Sequence, residues 1–122
     1  MVTANRSMQR GDSYAWNVAA LTQAGAVIDM TSGTWRFTAK WNTADADNAA
    51  AFSLVVAAGE IVVISAALGT ATINIGPSKT SSLPAHKFTL FYDVQATTSA
   101  SAVYTIETGK LTVNCDVTRT TP

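Results

Sequence analysis

Between Thr34 and Trp41 the chain alternates without a break: Trp35, Phe37, Ala39 and Trp41 occupy one phase, Arg36, Thr38 and Lys40 the other. A period of two belongs to the extended strand, in which successive side chains point to opposite faces. Such a run specifies a half-buried antiparallel strand, with a core on one side and water on the other. The same pattern recurs in Ser13 to Leu21, with Tyr14, Trp16 and Val18 inward. It recurs in Thr70 to Ile75, with Ala71, Ile73 and Ile75 inward, and in Lys87 to Ala96, with Phe88, Leu90, Tyr92 and Val94 inward. Ala102 to Glu107 and Lys110 to Cys115 read as a last pair of strands around a Thr108-Gly109 turn. Phe52 to Val56 and Ile61 to Ser65 are shorter apolar runs, with Ala58-Gly59-Glu60 reading as a hairpin turn between them.

Further turn signals stand at Ala24-Gly25, Ser32-Gly33, Leu68-Gly69 and Gly76-Pro77. Helix is scarce. Asn42 to Ala51 reads as a loop or a short helical turn. Ser78 to Leu83 reads as a short helix, with Ser78 as N-cap and Pro84 as its stop. The residues 1–9 and 117–122 read as polar terminal arms around a single domain that takes up the 122 residues. Seven or eight short strands with one short helix near 78–83 imply an all-β fold, an immunoglobulin-like antiparallel β-sandwich.

Composition narrows the function. Hydrophobic residues make up 48% of the chain, enough for a real core, and charged residues only 13%, about half the usual share. The formal net charge is zero. Nucleic-acid binding draws on a basic excess that displaces counterions, and an anionic membrane surface draws on the same excess; neither partner is expected here. Near-zero net charge also favours self-association, which suits an assembly part. The chain has one cysteine, Cys115, so no intrachain disulfide is available. Its start, Met1 to Arg6, lacks an apolar stretch, so no secretory leader is expected.

The groups that chemistry needs are missing as a set. His86 is the one histidine, sits beside Pro84 and Ala85, and reads as a surface turn residue. Cys115 falls at an apolar phase of the last strand and reads as a small buried hydrophobe. One His and one Cys cannot build a Cys/His zinc site. Asp45-Ala46-Asp47-Asn48 lacks the glycine and distant glutamate of a calcium loop and reads as a solvated loop. Arg10-Gly11-Asp12 matches an adhesion tripeptide, but it stands where a strand begins and reads as a turn. No phosphate-cradling glycine loop is present. The expectation is therefore a protein that is not an enzyme and takes no cofactor and no metal. The aromatics Trp16, Trp35, Phe37, Trp41, Phe88 and Tyr92 fall in core phase. Arg36, Lys40 and Phe91 face the other way, and with Arg119 they are the candidate interface residues. Phe91 and Tyr104 are the aromatics available to a sugar.

The order of short motifs resembles the immunoglobulin-like domain of bacteriophage tail and baseplate proteins, as at the N-terminus of siphophage upper-baseplate proteins. Arg10-Gly11-Asp12-Ser13 is similar to that family's opening. Val27-Ile28-Asp29-Met30-Thr31-Ser32-Gly33 resembles its Ile-Asp-Leu-Thr-Gly step before a long strand. Ser78 through Leu83-Pro84-Ala85 resembles its short helix ending in Leu-Pro-Ala-Gly, although His86 stands where the family has Gly. Phe88 to Gln95 is similar to its Tyr-x-Tyr-Asp-Val-Gln strand. Gly109-Lys110-Leu111-Thr112-Val113 and Asp116-Val117-Thr118-Arg119 complete the series. Upper-baseplate proteins continue into stalk and receptor-binding regions, and the likeness is to their first domain. The resemblance implies a virion structural protein, assembled in the host cytoplasm. It would act as a tail- or baseplate-associated adaptor or spacer whose partners are other virion proteins and symmetric copies of itself. Two other readings stay open: a capsid decoration or head-fibre protein of the same fold, and a carbohydrate-binding attachment module.

Overall fold

The computed structural model describes residues 2–22, 24–44, 50–81, 83–84 and 86–114. Eight strands pack as two sheets, with one short helix. In chain order they are β1 (Val2–Gln9), β2 (Tyr14–Ala19), β3 (Thr34–Lys40), β4 (Phe52–Val55), β5 (Ile61–Ser65), β6 (Thr70–Ile75), helix α1 (Pro77–Ser81), β7 (Phe88–Thr97) and β8 (Val103–Asn114). One sheet has the order β1-β8-β7-β3-β4 and the other β2-β6-β5. Strands β8-β7-β3-β4 against β2-β6-β5 reproduce the two-sheet order of an immunoglobulin-type sandwich.

The alternating runs predict the inner face well. Trp35, Phe37 and Ala39 of β3, Leu90, Tyr92 and Val94 of β7, and Leu111 and Val113 of β8 are buried. They face Val18 of β2, Ile61 of β5, and Ala71, Ile73 and Ile75 of β6, all buried as well. Phe37 is the centre. Its ring stacks at 5.6 Å on Phe52 and 5.5 Å on Tyr92, and Trp16 meets it edge-on at 5.8 Å. Such pairs add about 0.5–1.5 kcal/mol each beyond their buried area. Trp41 departs from expectation. β3 ends at Lys40, so Trp41 lies past the last paired residue, is 40% exposed, and leans on Phe88 with ring centres 5.0 Å apart.

Three expectations about organisation are corrected. Residues 2–9 are not an arm: Val2–Gln9 is a full strand, paired in parallel with Glu107–Asn114 of β8. Its inward positions are Ala4, Arg6 and Met8, where a charged residue interrupts the apolar alternation, so the long-range pairing decides its state. The chain does not turn at Thr108-Gly109. β8 runs straight through, because Gly109 is needed for close approach: a Cβ there would run into the Ala4 carbonyl of the paired β1. Ala58-Gly59-Glu60 does not close a hairpin either. A 3-10 turn, Val56–Ala58, carries the chain from β4 in one sheet to β5 in the other. β4 finds its antiparallel partner in β3, and β5 finds its partner in β6.

The helix spans Pro77–Ser81, starting one residue before and ending two residues before the expected Ser78 to Leu83. Pro77 is its first residue, a position that needs no backbone N–H, so Ser78 lies inside it. A carbonyl at its end and one just beyond it are held from outside. Arg10 Nε donates to Leu83 O at 3.0 Å, and Arg10 Nη2 donates to Ser81 O. Gly11, with φ +80°, donates its N–H to the fully buried Thr80 hydroxyl at 2.8 Å. Asp12 N closes the turn on Gln9 O at 3.2 Å. The Arg10-Gly11-Asp12 tripeptide is thus a turn that clamps α1, as its reading as a turn expects.

Candidate functional site

Two constellations stand out, one inside the sandwich and one on its outer face. The inner one begins with an irregularity. Val94 of β7 pairs with Glu107 of β8, and the next residue, Gln95, pairs with Thr105, so Ile106 is an extra residue. This bulge turns both Ile106 and Glu107 inward. Glu107 is 4% exposed, and a carboxylate so placed needs partners. Arg6 supplies two, with Nε and Nη2 each donating to one carboxylate oxygen at 2.9 Å. The Tyr92 hydroxyl donates to Glu107 Oε2 at 2.6 Å and lies 3.3 Å from Ala4 O. The Arg6 guanidinium also rests over the Trp16 ring, 4.4 Å from its centre.

The charges follow from this packing. Burial alone would raise the Glu107 carboxyl, but the hydrogen bonds from Arg6 and Tyr92 and the positive charge of Arg6 outweigh it, and the net shift is downward. Burial and the bond to Glu107 push the Tyr92 phenol well up. The hydrogen bonds to Glu107 raise Arg6 further above its ordinary value. No group here is poised to exchange a proton near neutrality. The cluster is a lock: it ties β1 to β8 and both to the aromatic centre.

The outer constellation is set by register. On the five-stranded sheet Arg36 lies opposite Gln95, Thr38 opposite Asp93, and Lys40 opposite Phe91. On the other side of β7, Phe91 lies opposite Lys110 and Asp93 opposite Thr108. All of these except Lys110 line a shallow depression of about 170 Å³. Lys110 Nζ stands 5.9 Å from the centre of the Phe91 ring. Thr108 Oγ1 donates to Tyr92 O at 3.1 Å, which fixes one wall. Three of the four candidate interface residues, Arg36, Lys40 and Phe91, therefore share one site. Arg119 lies outside the described residues. Asp93, Gln95 and Thr108 were not singled out from the sequence, although the outward phase of β7 places Asp93 and Gln95 beside Phe91.

The remaining candidates fall elsewhere. Phe91 is half-buried, and the more exposed aromatics are Trp41 and Tyr104. His86 is exposed, with Nδ1 3.1 Å from Lys87 O. Cys115 and Asp45 to Asn48 lie outside the described residues. Among the described residues no three His, Cys, Asp or Glu side chains gather where a metal ion could be held, and no helix is long and apolar enough to cross a membrane. A third surface feature is apolar. β5 is an edge strand, and of its residues only Ile61 is buried. Val62, Val63 and Ile64 are exposed, Ile64 to 59%, and the nearby Val56 and Leu68 are exposed too.

No protein-family model matches the chain, and comparison with curated proteins gives no match.

Proposed function

We propose that this protein is a non-catalytic structural part of a bacteriophage virion, a tail- or baseplate-associated adaptor or spacer that works through protein–protein contacts. The observation that carries the reading is the β5 edge. Edge strands that stay free in solution are blunted by charge, by proline or by a covering loop. β5 carries no charged residue and no proline, and three of its five side chains are exposed aliphatics. An edge of this kind suits a strand that is covered in an assembly, by a neighbouring virion protein or by a further copy of the chain. The motif series that resembles phage baseplate immunoglobulin-like domains supports the same reading, and so does the strand order of the two sheets. The locked interior fits a part under mechanical load, since Glu107, the buried charged residue among the described residues, is engaged in holding strands together.

The experiment is incorporation. A tagged copy expressed in infected host cells co-sediments with density-purified particles, and the V62K/I64K double variant, still folded, does not. A tagged wild-type chain that remains in the soluble fraction while particles form normally overturns the proposal.

A further inference from the structure

We infer that β5 is the contact strand of a two-fold homodimer, in which the free edges of two copies pair in antiparallel with Val62 opposite Val62 of the second copy. The pairing joins two three-stranded sheets into one of six strands. It rests on the reading of β5 as a docking strand and names that strand's occupant.

The backbone of β5 has one satisfied side and one open side. Hydrogen-bonded and non-hydrogen-bonded positions alternate along an antiparallel pair. Asn74 N donates to Glu60 O at 2.9 Å, and the same register continues through Ile61 opposite Ile73, Val62 opposite Thr72 and Val63 opposite Ala71. Val62 therefore turns its N–H and C=O toward β6, while Ile61 and Val63 turn theirs away from it. No described residue bonds to these outward groups. An open row of this kind is a template for another strand. Val63 shares the inward phase of buried Ala71 and is still 38% exposed, because no strand flanks it. β4, the edge strand before β5 in the chain, is closed by contrast. Val55 N donates to Glu60 Oε1 and Lys79 Nζ donates to Ser53 O, each at 3.4 Å, and Lys79 is paired with Glu60 at 2.7 Å.

Symmetry selects the occupant. A two-fold contact sets one surface against itself, so a charge on the axis would face its own copy. Two open residues spaced by two complement themselves about the residue between them. With Val62 on the axis, Ile61 of each copy pairs with Val63 of the other; each pair exchanges two hydrogen bonds, so the two pairs make four. Val62 then meets its copy with Cα atoms about 4.5 Å apart, where β-branched side chains pack across strands. No residue of β5 is charged, the adjacent Glu60 is held by Lys79, and a formal net charge of zero leaves no long-range repulsion between copies. The bulge between Val63 and Ser65 ends the regular edge and keeps the contact short. Contacts this small are weak, and the expected dissociation constant is about 0.1 mM. Copies held side by side on a symmetric particle meet at an effective concentration of about 1 mM, where such a contact is occupied.

The test is sedimentation velocity of the full chain from about 10 µM to about 1 mM, with hydrogen exchange of its amides at both extremes. The expected result is a reversible equilibrium that stops at the dimer, with slower exchange of the Ile61 and Val63 amides at high concentration. V62K and V62E each set like charges across the axis and weaken the dimer at least about tenfold, and an equimolar mixture of the two restores it. Restoration on mixing is specific to a residue that faces itself. Val62 is exposed, so both variants are expected to fold, and exchange of the wild-type amides keeps the test open should they not. The inference is overturned by a chain that stays monomeric at about 1 mM, by growth past the dimer, or by dimers whose Ile61 and Val63 amides exchange as in the monomer. It is equally overturned by a folded V62K that dimerises as the wild type does, or by a mixture that fails to restore the dimer. Incorporation into particles separates this from the reading beneath it. A monomeric chain whose V62K/I64K variant is excluded from particles overturns the second copy alone. A monomeric chain whose V62K/I64K variant enters particles as the wild type does overturns the docking strand as well.

Discussion

Replacing Glu107 by Gln tests the lock between β1 and β8. The substitution keeps the side chain's shape and removes its charge. In the native protein Glu107 accepts two hydrogen bonds from Arg6 at 2.9 Å and one from Tyr92 at 2.6 Å. A glutamine has one acceptor oxygen, so Arg6 loses half its fork and all of its counter-charge. Removing one partner of a fully buried pair costs about 3–5 kcal/mol. The Arg6 side chain remains 21% exposed, so water screens part of that loss and about 2–3 kcal/mol is expected. For 122 residues the unfolding entropy is about 0.26 kcal/mol/K, so the melting temperature falls by about 8–12 °C at neutral pH.

The pH dependence has a fixed sign. The Glu107 carboxyl is held below its ordinary value in the folded chain. Its contribution is therefore fully present above the unfolded-state pKa of about 4.3 and is lost as pH falls through the lower folded value. E107Q has no such contribution, so the gap between it and the wild type is widest near pH 7 and narrows below about pH 4. Thermal unfolding followed by circular dichroism at pH 7, 5, 4 and 3 measures this. A drop of under about 2 °C at pH 7, or a gap that stays constant down to pH 3, refutes the reasoning.

Other consequences are equally open to test. G109A places a methyl group against the Ala4 carbonyl, so hydrogen exchange should show β1 amides losing protection while β2, β3 and β6 keep theirs; unchanged β1 protection contradicts the close-approach argument. R10A removes the donors to Ser81 O and Leu83 O and is expected to cost about 1–2 kcal/mol, a fall of roughly 4–8 °C in melting temperature. V62K/I64K should abolish self-association of the concentrated protein in light scattering and leave its melting temperature within about 2 °C, since both side chains are exposed.

Where a strand buries one face, its sequence shows it. β2, β3, β6 and β7 were legible because Trp16, Phe37, Ile73 and Leu90 sit in runs of strict alternation. β1 was not, because the inward position that matters most holds Arg6, and its partner Glu107 is about a hundred residues away in the chain. Gly109 misled for a related reason. A glycine needed for a neighbouring backbone and a glycine needed for a turn look alike in one sequence. The bulge at Ile106 was hidden as well, since it only becomes visible when β7 and β8 are paired. The outer site was half legible. Outward phase identified Arg36, Lys40 and Phe91 separately, and the register of β3 on β7 is what brought them together with Asp93 and Gln95.

The central claim is that the chain is a stoichiometric part of a phage particle. Quantitative mass spectrometry of purified particles, with labelled peptides of this chain and of a major virion protein as standards, tests it most directly. The account predicts a constant ratio between the two that matches a small symmetric copy number. Absence from particles, or a ratio that varies from one preparation to the next, contradicts it.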